Sequence, residues 1–272
     1  MKKNLAINGH PIYLETRGRK YAPPVVFLHH GLGAVRSWKE QVGAFAAEGF
    51  YSVTYDRWGH GKSGIRSTWG IPYFYDDLAD LHTLLNLLGL DRVAMIGHSD
   101  GGKIAMYYAV AHPDQVACLV LVAAHIYIES KMHSGILSVK ADFENNPTFK
   151  EKMWRVHGDK SEALFRGWFN GWASPEILGW DLRPLIAKIA CPTLVIQGME
   201  DEHATSRHAQ DIAAAIPGAE LWLVPGVGHM LPQDNAEEFN KTVIRFLRKQ
   251  LVDNRWAEDI KSTARQVQSS KT

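Results

Sequence analysis

Short apolar, β-branched runs alternate with stretches of helical periodicity along most of the chain. The runs fall at 25–28, 51–54, 93–96, 118–122, 192–197 and 221–224. Apolar spacing predicts helices over 38–47, 73–88, 102–109, 209–215 and 236–251. Continuous apolar strands separated by amphipathic helices point to a mostly parallel, doubly wound sheet in an α/β architecture. Ahead of it, 4–17 reads as an antiparallel hairpin turning at Asn8-Gly9, and Gly89 closes the second helix.

The alternation breaks between about Ala124 and Pro184. That stretch is helical and rich in aromatics, among them Tyr127, Phe143, Phe149, Trp154, Phe165, Trp168, Phe169, Trp172 and Trp180. An insertion at this point, after the strand that follows the 102–109 helix, would lie over the C-terminal edge of the sheet as a lid. The predicted organisation is a core of 1–124 and 184–252, a helical lid of 125–183, and a polar tail of 253–272. The tail loses its apolar face and is expected to be a loose helix or disordered. Most of the lid aromatics are expected to pack the lid onto the core. Together they favour a substrate with an apolar or aromatic group.

The chemistry is concentrated where strands end. Gly97-His98-Ser99-Asp100-Gly101 lies between a strand and a helix. A G-x-S-x-G turn in that setting holds the serine in strained backbone geometry and lifts its Oγ clear of the sheet at a helix N-terminus. Asp201 follows the 192–197 strand and His229 follows the 221–224 strand, giving the order serine, acid, histidine. Asp201 would orient the imidazole, and His229 would take the Ser99 proton and return it to the leaving group. Glu200 and Glu202 flank the acid and compete with it for the assignment. The loop His29-His30-Gly31-Leu32-Gly33 ends the first core strand. The Leu32 and Asp100 N–H groups would form a two-donor oxyanion hole.

Two other readings fail on spacing. Adjacent residues of a strand point to opposite faces, so His29 and His30 do not easily share a metal ion, and they read as structural loop histidines. No H-E-x-x-H or paired C-x-x-C spacing completes a metal site. Gly59-His60-Gly61-Lys62-Ser63-Gly64 resembles the end of a phosphate-binding loop, but Asp56 stands where that motif requires its first glycine. Asp56 and Arg57 are expected to make structural hydrogen bonds.

Composition narrows the class. A chain of 272 residues suits one large domain with an insertion. A net charge of +1 leaves no electrostatic footprint for nucleic acid or an anionic membrane. Two cysteines, Cys118 and Cys191, suggest buried free thiols in a reducing compartment. The first residues lack the apolar core of a signal peptide, and no segment is apolar enough to span a bilayer. A cytoplasmic location is expected; the oligomeric state is left open.

Five features together resemble the α/β-hydrolase superfamily: His30-Gly31-Leu32-Gly33, Asp56 through Ser63, Gly97 through Gly102, Gly198-Met199-Glu200-Asp201 and Gly228-His229. Within it, Ser99-Asp100-Gly101-Gly102 and Glu237-Glu238-Phe239-Asn240-Lys241 are similar to the biphenyl-hydrolase-like (valacyclovir hydrolase) and bacterial carboxylesterase group. That first group carries a tryptophan where this chain has His98. The resemblance implies an α/β-hydrolase fold and a serine hydrolase that cleaves carboxylic esters through an acyl-enzyme, with no metal or organic cofactor. Lactone, thioester, amide, amino-acid-ester and carbon–carbon bond hydrolysis use the same core. A ligand sensor or scaffold of this fold is the alternative from another class. The resemblance also implies that Asp100 binds the ammonium of an amino-acid ester. Other expected substrate contacts are His30, Ile126, Tyr127, Met132 and Trp154.

Overall fold

A computed structural model describes residues 1–253. Its strands are β1 (Lys2–Ile7), β2 (His10–Arg17), β3 (Pro24–Leu28), β4 (Tyr51–Tyr55), β5 (Val93–His98), β6 (Val116–Val122), β7 (Thr193–Gly198) and β8 (Glu220–Val224). They form one sheet in the order β1-β2-β4-β3-β5-β6-β7-β8. β1 and β2 pair antiparallel, as does β2 with β4, and every pairing from β4 to β8 is parallel. The apolar run of β5 is buried on both faces. Val93 and Met95 enter one core with the helices α2 (Tyr75–Leu88) and α3 (Asp100–Ala111). Ala94 and Ile96 enter the other with α1 (Lys39–Ala47) and α10 (Ala236–Arg248). This two-sided burial is why the strands read as unbroken apolar runs rather than alternating ones.

The connection leaving β3 runs to β4 on one side, whereas the chain leaving β5 runs to β6 on the other. Neighbouring strands whose connections diverge open a crevice at their C-terminal ends, the usual ligand site of such sheets. The loop after β3 and the turn after β5 border that crevice.

Between β6 and β7 the chain forms the helices α4 (Ser130–Asn145), α5 (Pro147–His157), α6 (Ser161–Ala173) and α7 (Arg183–Ile186), which is the expected helical insertion. Asn146 caps α5 by accepting the Thr148 and Phe149 N–H groups, with Pro147 at the first helical position. α8 (Arg207–Ala215) follows β7 and the short α9 (Leu231–Asp234) follows β8. The predicted polar tail lies, beyond Asp253, outside the described residues.

Candidate active site

Ser99 joins β5 to α3 with φ 54° and ψ −115°, a conformation most side chains avoid. Its neighbours show why glycine is required. A Cβ on Gly97 would run into the Gly101 backbone, and one on Gly101 into the Leu28 carbonyl. The turn can therefore pack against β3 only without those side chains, and the strain lifts Ser99 toward the crevice.

Asp201 and His229 meet as their positions after β7 and β8 suggest. Asp201 Oδ2 lies 2.8 Å from His229 Nδ1. Asp201 is fully buried, and burial alone would raise its pKa. The His229 charge and hydrogen bond, with the His203 N–H, outweigh that and hold the carboxyl below its usual range. Its Oδ1 accepts the His203 and Ala204 N–H groups at 2.8 and 3.2 Å, and Gln197 donates to Oδ2 at 2.6 Å. An ionised carboxylate only accepts, so His229 Nδ1 carries the proton and a neutral ring leaves Nε2 free as a base.

Two side chains hold the His229 backbone from opposite sides. His98 donates Nε2–H to the His229 carbonyl at 2.8 Å, and Glu202 accepts the His229 N–H at 3.1 Å. Burial, then the neighbouring His229 charge, pushes the His98 pKa down to about 3, so its ring is neutral. Neither role was visible in the motif. Glu200, by contrast, is exposed.

Ser99 and His229 line a cavity of about 490 Å³ together with His30, Leu32, Asp100 and Met132. Among the described residues the Leu32 and Asp100 N–H groups have no protein acceptor. Phe149, Trp168 and Trp172 supply the aromatic wall, joined by Ile136, Val139 and Met153. Phe143 and Phe165 instead stack on each other at 3.9 Å, and Trp180 donates to the Tyr107 hydroxyl at 3.0 Å.

Three expected contacts lie elsewhere. Ile126 is fully buried, and its carbonyl accepts the Leu182 N–H at 2.7 Å. Tyr127 pairs with Asp181 in an isolated bridge and donates its hydroxyl to Asp211 at 2.8 Å. These contacts tie 126–127 to the end of the insertion and to α8, and neither residue lines the cavity. Trp154 is 59 % exposed on the outer face of α5.

The Asp100 carboxylate already has a cation. Lys103, buried one helical turn on, donates to it at 2.9 Å, and Trp172 Nε1–H approaches at 3.4 Å. The Lys103 ammonium also lies 4.1 Å above the Trp172 ring and 3.5 Å from His125 Nδ1. Burial opposes ionisation of Asp100, but Lys103 and then Arg57 outweigh it and the pKa is lowered. Lysine at 103, in an otherwise apolar helix three residues after an aspartate, was the signal for this pair.

His125, Asp201 and His229 bring donor atoms within 4.8 Å of one another. Two of the three are joined by the Asp201–His229 hydrogen bond. His29 and His30, in the loop beyond β3, diverge. His29 accepts the Arg57 N–H at 3.1 Å, whereas His30 faces the cavity. Asp56 accepts the Val35 and Lys62 N–H groups, and Arg57 donates to the His30 carbonyl.

Comparison with known proteins identifies the fold family. The α/β-hydrolase fold family matches residues 23–166. A bifunctional esterase/perhydrolase, DCH, of Acinetobacter calcoaceticus is 28% identical, covering 89% of this chain and 97% of its own. The serine hydrolase BPHL of Mus musculus is 28% identical over 64% of this chain and 61% of its own. The enol-lactonase of Burkholderia xenovorans LB400 superposes with a TM-score of 0.74 at 25% identity, covering 90% of this chain and 99% of that one. No helix among the described residues is long and apolar enough to cross a membrane. With a parallel sheet that opens at β3 and β5, a strained serine at that opening and these likenesses, the chain belongs to the α/β-hydrolase family and is a hydrolase of small molecules.

Proposed function

We propose that the protein hydrolyses carboxylic esters with Ser99 as nucleophile, His229 as general base and acid, and Asp201 as the group that orients His229. The observation that carries this reading is the His229 ring, fixed by an ionised Asp201 with its Nε2 free, on the same cavity as the strained Ser99. Ser99 Oγ attacks the acyl carbon while its proton passes to His229 Nε2. The carbonyl π electrons move onto oxygen, and the oxyanion takes hydrogen bonds from the Leu32 and Asp100 N–H groups. Collapse breaks the carbon–oxygen bond and the alcohol leaves with the proton from His229. Water then gives its proton to His229, attacks the acyl-enzyme and releases the acid with Ser99 restored. The chemistry calls on no metal or organic cofactor.

The wall of Phe149, Trp168, Trp172 and Met132 favours an apolar or aromatic substrate group, with the insertion acting as a lid. A likeness to an enol-lactonase supports a cyclic ester as the alternative substrate on the same residues. Cys118 and Cys191 are both free thiols, which supports a cytoplasmic location. The test is Ser99→Ala against a panel of p-nitrophenyl esters and lactones. Turnover should fall by roughly 10⁴–10⁶ in kcat, and fluorophosphonate labelling should vanish, with the melting temperature preserved. Near-normal turnover in that variant would refute the assignment.

A further inference from the structure

The oxyanion loop reads Gly31-Leu32-Gly33, so the proposed donor at Leu32 sits between two residues with little intrinsic stiffness. Neither glycine can be exchanged for a stiffer residue. A Cβ on Gly31 would fall on the Trp168 indole, and one on Gly33 would lie 2.8 Å from the His30 ring and from Ser37 Oγ. The loop has one turn hydrogen bond of its own, from the Gly33 N–H to the His30 carbonyl at 3.0 Å, and the rest of the rigidity that an oxyanion hole needs comes from side chains outside it.

His157, the last residue of α5 in the insertion, meets that need and is only 2 % exposed. Its Nδ1 accepts the Gly61 N–H at 2.9 Å, and its Nε2 lies 3.1 Å from the Leu32 carbonyl. The first contact fixes the second. A backbone N–H donates only to an unprotonated nitrogen, so Nδ1 is bare, Nε2 carries the proton, and that proton is donated to Leu32. Burial pushes the His157 pKa down to about 4, and the Lys160 and Arg57 charges act in the same direction. The single-proton ring is thus the form present at neutral pH.

The turn that presents Gly61 is itself anchored. Gly61 has φ 46°, and a Cβ there would collide with the Asp56 carboxylate, which accepts the Lys62 N–H at 2.7 Å. Lys160, just beyond α5, donates to the Gly61 carbonyl at 2.8 Å and to the Ser63 carbonyl. A peptide unit is planar. The preceding plane, which carries the Gly31 carbonyl and the Leu32 N–H, is held by His60 Nε2 at 2.9 Å from that carbonyl; holding the Leu32 carbonyl fixes the plane that follows, and the two together limit how far the Leu32 N–H can swing.

We infer that His157 is a positioning residue for catalysis, linking the seating of the helical insertion to the aim of the oxyanion donor at Leu32. This rests on the ester-hydrolase reading given above. His157 reaches no substrate; it acts through Leu32. In cavity terms, the element that roofs the substrate also completes the site that stabilises the transition state.

The test compares His157→Leu and His157→Gln with the wild type, using p-nitrophenyl butyrate for turnover and butylboronic acid as a probe of the tetrahedral oxyanion. His157→Leu removes both hydrogen bonds. Loss of a whole oxyanion donor costs about 10²–10³ in kcat, so a misaimed one should cost roughly 30-fold, with KM changed less than about threefold. Boronate affinity should weaken by a similar factor. Glutamine carries an acceptor and a donor on one amide, so His157→Gln should recover most of the loss. A kcat within about threefold of wild type for His157→Leu, or a loss that glutamine does not rescue at equal melting temperature, overturns the inference. Should His157→Leu fail to fold, His157→Asn, too short to span both partners, is judged by the same kcat, KM and boronate criteria. A wild type that neither turns over esters nor binds the boronate would instead remove the ester-hydrolase reading itself.

Discussion

Asp201 and Asp100 are both buried carboxylates close to the serine turn, both with pKa values held below the usual range, and they do different things. Asp201, in the loop after β7, faces an imidazole and is braced by two backbone N–H groups and Gln197. Asp100, at the start of α3, faces an ammonium on its own helix. Burial opposes the charged form at both. Asp201 overcomes it by pairing with a group that can gain and lose a proton, so its charge stays coupled to chemistry. Asp100 overcomes it by pairing with a lysine, which makes a neutral unit in the cavity wall. In the proposed mechanism the partner, not the residue type or the depth of burial, separates the catalytic carboxylate from the structural one.

The comparison breaks first at Asp201. Asp201→Asn keeps the shape but lets the His229 ring settle in the wrong tautomer, and kcat should fall by about 10⁴. Glu202→Gln should cost far less, since it meets the His229 backbone and the His203 ring rather than the His229 imidazole, and Glu200→Gln, at an exposed side chain, should cost nothing measurable. Steady-state kinetics on a p-nitrophenyl ester rank the three. A larger loss at Glu200 than at Asp201 would move the acid by one residue.

How much of this was legible in the sequence divides along the same line. The parallel sheet and the turn at Ser99 follow from constraints on backbone, and the glycines at 97 and 101 record the turn because no side chain fits there. Asp201 and His229 were legible because strand ends bring them together whatever the surrounding packing. The insertion was legible as helical and aromatic, but not in its facing. Whether Trp154 or Trp168 meets the cavity depends on how α4, α5 and α6 pack against one another, which periodicity along one helix does not encode. His157 is a lone histidine at a helix end, and His98 a single departure from a family pattern. Their roles arise from backbone groups many residues away.

The second test asks whether the Asp100–Lys103 pair is structural. Lys103→Met would leave Asp100 buried without its cation, and breaking one side of such a pair costs about 3–5 kcal/mol. Urea melts should show that loss for Lys103→Met, and Asp100→Asn in the same chain should restore most of it because no unpaired charge remains. A single variant that loses less than about 1 kcal/mol would mean that the pair is solvated and Asp100 is available to a ligand.

The smallest expected effect concerns substrate choice. If Asp100 were free, an α-amino ester would gain a charge-assisted hydrogen bond worth roughly 1.5–3 kcal/mol, a preference of about 10- to 150-fold. Lys103 already occupies that carboxylate, and its ammonium would repel a second cation brought beside it. The other carboxylates that line the cavity are Asp142 and Glu202, and Glu202 already accepts the His229 N–H. The expected ratio of kcat/KM for an α-amino ester over its des-amino analogue is therefore close to one, or below it. Lys103→Met, provided that it folds, should raise the ratio, because it frees the carboxylate and removes the repulsion together. A preference of tenfold or more in the wild type, abolished by Asp100→Asn, would show that Asp100 exchanges its lysine for substrate, and the two carboxylates would then be alike in facing the reaction.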